Sequence, residues 1–145
     1  MMTQPPELFG RVTAILSDHK NLRQTIGRLR QMCALLEQRP PTLAPEFEPS
    51  GLLEGLHEDL VAHFAAEESE GYFGTVEAER PALAAQISEL KSQHAVFLKE
   101  LGNLREMAQT TERWLELSAG TRSLVEQLES HERAESQLLH GFLLC

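Results

Sequence analysis

Two copies of a His-x-x-x-Glu spacing occur in the chain, one formed by His63 and Glu67 and the other by His131 and Glu135. Residues four positions apart lie on the same face of an α-helix, so each histidine shares a face with its glutamate. Imidazole nitrogens and carboxylate oxygens are common ligands of transition metals. The repeated spacing therefore indicates a metal site assembled from more than one helix.

Both pairs occupy positions that the surrounding apolar pattern assigns to the interior of the fold. Apolar residues recur every three or four positions around each pair, which is the spacing of a core-facing helix face. Two further histidines, His19 and His94, interrupt two other apolar stripes in the same manner. The four stripes are Leu8, Val12, Ile15, His19, Leu22, Ile26, Leu29, Cys33 and Leu36; Leu53, Leu56, Leu60, His63 and Glu67; Leu83, Ile87, Leu90, His94, Phe97, Leu101 and Leu104; and Leu117, Leu124, Leu128, His131, Glu135, Leu138 and Phe142.

This pattern would bury several ionisable side chains in one small core. An unpaired buried charge costs several kcal/mol, whereas a whole domain is stabilised by only about 5–15 kcal/mol. Metal ions convert the same side chains into stabilising ligands. A polar core without metal is the alternative that the pattern leaves open. The predicted metal ligands are His19, His63, Glu67, His94, His131 and Glu135.

The number and type of these side chains favour two metal ions over one. Four imidazoles and two carboxylates exceed the ligand set of an ordinary tetrahedral zinc site. They suit two ions that each take two histidines, with the glutamates bridging. Nitrogen and oxygen donors without thiolate favour iron or manganese, and zinc stays open.

Proline, glycine and capping residues divide the chain into four predicted helices. Proline stops a helix that runs into it and suits the first turn of a new one, and serine or threonine caps the start. The predicted bounds are Glu7 to Gln38 for helix A, Ser50 as N-cap to about Gly71–Gly74 for helix B, Pro81 to about Ala108 for helix C, and Thr110 or Thr111 as N-cap to about Phe142 for helix D.

Short connections between long helices favour antiparallel neighbours. We therefore predict an all-α fold, an antiparallel up-down-up-down four-helix bundle, as a single domain over residues 1–145. At a rise of about 1.5 Å per residue the four histidines lie at similar heights, so one mid-bundle cluster is expected. Gly120 weakens helix D by about 1 kcal/mol relative to alanine, which allows a break there.

The composition of the chain argues against two classes of partner, nucleic acids and membranes. The net charge of −9 repels phosphate backbones, so no nucleic-acid partner is expected. Because no apolar run approaches the roughly 20 residues of a membrane span and Met1–Pro6 lacks signal-peptide features, we expect no membrane partner and a cytoplasmic protein. Cys33 and Cys145 imply no disulfide framework, and Cys33 falls on a core stripe. The oligomeric state is not set by these features.

Three segments together resemble the hemerythrin-like (HHE cation-binding) domains: His63-Phe64-Ala65-Ala66-Glu67-Glu68, Gln93-His94 and His131-Glu132-Arg133-Ala134-Glu135. The resemblance covers about residues 10–143. It implies an antiparallel bundle that holds two iron ions joined by an oxo or hydroxo bridge, with manganese or zinc less favoured. It also implies a small diatomic gas or peroxide as partner. Its ligand set is again His19, His63, Glu67, His94, His131 and Glu135.

Two features differ from the oxygen-carrying hemerythrins. Those carriers have a second histidine on helix C, four residues from the first, where this chain has Leu90 and Leu98. They also use His-x-x-x-x-Asp on helix D, whereas this chain has His-x-x-x-Glu. The ligand pattern is more similar to the di-iron domain of bacterial iron-centre repair proteins. These differences argue against reversible oxygen transport.

Neighbouring polar residues are expected to lie outside the site. His57 and His140 point well away from the ligand faces, and Glu68 is turned about 100° from Glu67. Three functions remain open: a di-iron protein that binds oxygen or nitric oxide as sensor, store or scavenger; a redox enzyme that reduces nitric oxide or peroxide or supplies iron for cluster repair; and a structural bundle without metal.

Overall fold

The computed structural model describes residues 6–38, 48–68, 73–110 and 113–143, and within these ranges it contains helices and no strand. Four long helices correspond to predicted helices A to D, and one short helix and one 3₁₀ turn lie between the second and third of them. The elements are α1 (Pro6–Glu37), α2 (Pro49–Glu68), α3 (Phe73–Glu79), the 3₁₀ turn (Pro81–Leu83), α4 (Ala84–Thr110) and α5 (Trp114–Leu143).

The four long helices form a ring in which α1 packs against α2 and α5, and α4 packs against the same two helices. Neighbours run antiparallel, since residues early in one helix contact residues late in the next. The contacts are His19 with Glu135 and Cys33 with Ser118 for α1 and α5, Glu67 with His94 and Glu54 with Arg105 for α2 and α4, and Gln93 with His131 and Leu104 beside Gly120 for α4 and α5. The predicted all-α, antiparallel four-helix bundle is confirmed.

The apolar stripes meet inside this ring and form two clusters. The larger apolar cluster consists of Leu22, Ile26, Leu29, Met32, Cys33, Leu36, Leu53, Leu56, Leu60, Phe64, Phe97, Leu101, Leu104, Ala108, Leu117, Leu124, Val125 and Leu128. The smaller apolar cluster consists of Ile15, Phe73, Val76, Ile87, Leu90, Leu138 and Leu139. Of the stripe residues, Leu83 is only partly buried, and the side chains of Leu8, Val12 and Phe142 lie outside the described part.

The predicted helix caps at Ser50 and Thr110 are wrong. Ser50 does not cap α2, because the helix already begins at Pro49, whose ring suits the first turn. The same helix is described as far as Glu68; of its predicted end, Gly71 lies outside the described residues and Gly74 lies within α3. Thr110 is the last residue of α4 instead of a cap, and Thr111 lies outside the described residues.

The short helix α3 was not predicted. It places Phe73 and Val76 in the smaller apolar cluster, where both are fully buried. At seven residues it is too short to carry a periodic pattern of its own, so its apolar residues are held by tertiary packing. It therefore covers the end of the bundle at which α2 stops and α4 begins.

Gly120 does not break α5, which is continuous from Trp114 to Leu143. A Cβ atom at Gly120 would lie 2.7 Å from Cδ2 of Leu104 on α4. The two helices can therefore approach this closely because Gly120 has no side chain. In the described part of the chain, none of the helices combines the length and the apolar character that crossing a membrane requires.

Candidate metal centre

The bundle brings the predicted ligands together from its four long helices. His19 comes from α1, His63 and Glu67 from α2, His94 from α4, and His131 and Glu135 from α5. All are buried, with exposed fractions between 0 and 7 %. These six side chains, called the His/Glu cluster below, lie between the two apolar clusters.

The His/Glu cluster contains two overlapping groups of four side chains. In each group, one ligand atom from every member lies within 4.8 Å of the others. One group is His19, His63, Glu67 and Glu135; the other is Glu67, His94, His131 and Glu135. Both glutamates belong to both groups, so two groups that could each hold a cation share the same two carboxylates.

The distances show how each carboxylate reaches both positions. Oε1 of Glu67 lies 3.4 Å from Nε2 of His63 and 3.4 Å from Nε2 of His94. The two carboxylate oxygens of Glu135 face different histidines. Its Oε1 lies 2.8 Å from Nε2 of His19, and its Oε2 lies 3.5 Å from Nε2 of His131.

Many polar atoms of the cluster have no hydrogen-bond partner among the described residues. They include both carboxylate oxygens of Glu67, Oε2 of Glu135, and Nε2 of His94 and His131. Each unsatisfied buried polar group costs about 1–3 kcal/mol. Cations in the two positions would give these lone pairs partners, so the donor set fits a metal centre.

Burial favours the neutral form of three histidines of the cluster. Burial, assisted by neighbouring histidines, lowers the pKa of His94 to about 4 and that of His131 to about 3. Burial also lowers the pKa of His63. A neutral imidazole keeps a free lone pair on one nitrogen, which is the form that binds a metal.

The outer nitrogens of two histidines are hydrogen-bonded away from the cluster. Nδ1 of His131 lies 2.5 Å from Oε1 of Gln93. That oxygen only accepts, so Nδ1 donates and Nε2 keeps its lone pair toward the cluster. Nδ1 of His19 lies 3.3 Å from Oγ of Ser136. Such contacts fix ring orientation at metal sites.

The other two histidines face exposed carboxylates. Nδ1 of His63 lies 3.6 Å from Oδ2 of Asp18, and Nδ1 of His94 lies 3.7 Å from Oε2 of Glu68. The contacts that Asp18, Gln93 and Ser136 make with the histidines were not predicted from the sequence. Their only signal is adjacency in sequence to a predicted ligand, which does not reveal the histidine of another helix that they contact.

The family model of the hemerythrin HHE cation-binding domain matches residues 10–143. The chain belongs to this family. No curated protein and no solved structure gives a match.

Aromatic side chains enclose one half of the cluster in this HHE domain. The ring of His94 stacks on Phe64, with centroids 3.8 Å apart and planes 6° apart. Phe73, from the unpredicted helix α3, lies 6.4 Å from the same ring. Phe97 meets His131 edge-on at 5.1 Å. These rings replace water around the two histidines and restrict their rotation.

The residues that were expected to lie outside the site are not members of the two four-residue groups. Glu68 is 46 % exposed at its side chain and pairs with the outer nitrogen of His94. His140 is exposed and His57 partly buried, and neither belongs to the cluster. Leu90 and Leu98 stand where oxygen-carrying hemerythrins have a second histidine. Leu90 belongs to the smaller apolar cluster, and the partly buried Leu98 packs against the larger one.

Proposed function

We propose that the His/Glu cluster binds two iron ions and that this pair binds or reacts with dioxygen, nitric oxide or peroxide. The observation that carries the proposal is the membership of Glu67 and Glu135 in both four-residue groups. Shared carboxylates are what a pair of metal ions requires and a single ion does not. Membership in a cation-binding family supports the same assignment.

The donor set supports iron. Each position is offered two imidazoles and oxygens of two carboxylates, with no thiolate. Histidine and carboxylate ligands with open positions are typical of non-haem iron centres, whereas structural zinc fills its tetrahedral shell with protein ligands. Manganese and zinc are the alternatives that metal analysis separates.

Bound iron would supply redox electrons for a small oxidant. The chain's own residues bind the ions, exclude water and set the proton positions. Phe64 and Phe97 cover the half that contains His94 and His131, and Gln93 holds the Nδ1 proton of His131. With leucines at 90 and 98, α4 contributes one histidine to this half, which leaves room for an added ligand.

A surface cavity beside His131 suits uncharged molecules. It lies between α4 and α5, has a volume of about 280 Å³ and reaches His131. Its other lining residues are Gln93, Val96, Phe97, Gln127, Ser130 and Ala134, all of them neutral. Dioxygen, nitric oxide and hydrogen peroxide are small and neutral, so this lining opposes none of them.

Metal analysis and optical spectra of protein purified without oxygen test the proposal. We expect about two iron ions per chain in protein produced with sufficient iron. Air should convert the reduced protein to a stable oxidised form that vacuum does not reverse, and nitric oxide or peroxide should react readily. One zinc ion per chain, or almost no metal after iron reconstitution, would contradict the di-iron assignment.

The reaction with air has its own contradicting outcome. An oxygenated species that releases oxygen under vacuum and returns to the reduced form over many cycles would mean reversible transport. The protein would then act as an oxygen carrier despite having one histidine on α4 in the cluster.

A further inference from the structure

We propose that an acidic cavity between α1 and α2 is the route by which divalent cations reach and leave the His/Glu cluster. This inference rests on the metal centre proposed above. The cavity has a volume of about 160 Å³. It is lined by Asp18, Asn21 and Leu22 of α1 and by Asp59, Ala62 and His63 of α2.

His63 forms the boundary between this cavity and the cluster. Its side chain is more than nine-tenths buried, and its Nδ1 pairs with Oδ2 of Asp18 at 3.6 Å. Asp18 also lines the cavity, so this pair joins the buried ring to the cavity wall. On the other side of the ring, Nε2 lies 3.4 Å from Oε1 of Glu67. One imidazole ring therefore faces a carboxylate of the cavity wall with one nitrogen and a predicted metal ligand with the other.

The chemistry of the mouth suits a hydrated dication. Asp18 and Asp59 are exposed and contribute two carboxylates, and Asn21 adds an amide. Neither lysine nor arginine lines this cavity in the described part of the chain. Oxygen ligands replace the water of Fe²⁺ or Co²⁺ stepwise, and a cleft lined by one sign of charge raises the local concentration of its counter-ion.

Two other cavities lack this complementarity. The cavity between α4 and α5 also reaches the cluster, at His131, but all its lining residues are neutral. A third cavity, between α1 and α5, contains Ser136, which contacts His19, but its two carboxylates, Glu129 and Glu132, are balanced by the two guanidinium groups of Arg23 and Arg133. Guanidinium groups repel a dication. Charge thus distinguishes the Asp18–Asp59 cavity as the route for cations.

Asp59 allows the route to be tested without altering a predicted ligand. It lies one helical turn before His63 on α2 and lines the cavity without belonging to the cluster. Glu58 is a matched control, because it is exposed on the same helix, carries the same charge and does not line the cavity. Asp59→Asn and Glu58→Gln therefore change the net charge equally and differ only in where the charge is lost.

The experiment measures uptake of Co²⁺ by the metal-free protein in a stopped-flow instrument, using the visible absorbance of bound Co²⁺. At low ionic strength we expect Asp59→Asn to slow the initial rate by up to about tenfold, within the range of electrostatic steering. Glu58→Gln should change it less than twofold. Final Co²⁺ content should equal that of the unchanged protein in both variants. The difference in rate should shrink near 1 M salt, where the screening length falls to about 3 Å.

Three outcomes would contradict the proposed route. Equal rates for Asp59→Asn and the unchanged protein would overturn it, as would equal slowing by Glu58→Gln. A lower final Co²⁺ content in Asp59→Asn would also overturn it, since Asp59 would then belong to the binding site. If the unchanged protein binds no Co²⁺, the metal centre itself fails.

Discussion

At the scale of single residues, Glu67 and Glu135 matter most, because each faces histidines from both halves of the cluster. Their neighbours in sequence have different roles. Glu68, adjacent to Glu67, faces only the outer nitrogen of His94 from an exposed position. Glu132, three residues before Glu135, is buried; burial raises its pKa, and Arg23 pairs with it at 3.2 Å. Within one helical turn, a predicted metal ligand and a residue that does not belong to the cluster thus lie side by side.

Replacing the shared carboxylates should abolish metal binding. Glu67→Ala or Glu135→Ala removes an oxygen donor from both positions at once, so we expect loss of most of the bound metal by elemental analysis. Glu68→Ala is the matched control and should retain it, as should His57→Ala and His140→Ala. Equal metal loss from Glu68→Ala would mean that the ligand face of α2 is assigned incorrectly.

At the scale of helices, the approach of α4 to α5 holds His94 near His131. Their ring centroids are 5.2 Å apart, and Gln93 of α4 is hydrogen-bonded to His131 of α5. Farther along the same helix pair, Leu104 lies against Gly120. Close helix packing at Gly120 and the geometry of the predicted metal site therefore belong to the same interface.

This interface predicts different results for two glycine substitutions. Gly27→Ala, on the exposed face of α1 with no atom within 4 Å of the added Cβ, should stabilise the protein by about 1 kcal/mol through helix propensity. Gly120→Ala should lose that gain or destabilise, since its Cβ would lie 2.7 Å from Cδ2 of Leu104. Urea unfolding measures both. Equal stabilisation by the two substitutions would mean that Leu104 moves freely aside.

At the scale of the whole molecule, a polar layer lies between two apolar clusters. The apolar clusters stabilise the bundle, whereas the His/Glu cluster opposes folding through its unsatisfied buried atoms. Metal ions would bind only the folded chain, because the ligands come from four separate helices. Metal content and global stability should therefore change together.

Chelation should lower the melting temperature. A metal present at 100 times its dissociation constant adds about 2.7 kcal/mol to the free energy of unfolding. For a chain of 145 residues this corresponds to a decrease of roughly 10 °C on metal removal. Scanning calorimetry before and after treatment with a chelator gives the value. Identical melting temperatures would favour a bundle that tolerates its polar core without metal.

The helical period alone determined which residues face inward. Side-chain direction within a helix repeats every 3.6 residues, so local spacing was enough to predict that His19, His63, His94 and His131 are buried. The same local rule predicted four long helices, and their short connections indicated antiparallel order. Helix ends were less accurate, because Pro49 and Ser50 both carry start signals and the sequence does not rank them.

Only the tertiary structure decided which side chains meet across helices. The sharing of Glu67 and Glu135 by two groups depends on the rotation and offset of each helix, which no local period specifies. The contacts of Gln93 with His131 and of Asp18 with His63 depend on the same quantities. Phe73 reaches His94 from a helix too short to show a period. The local sequence therefore determined which residues face inward, whereas the assembled bundle determined which of them contact each other.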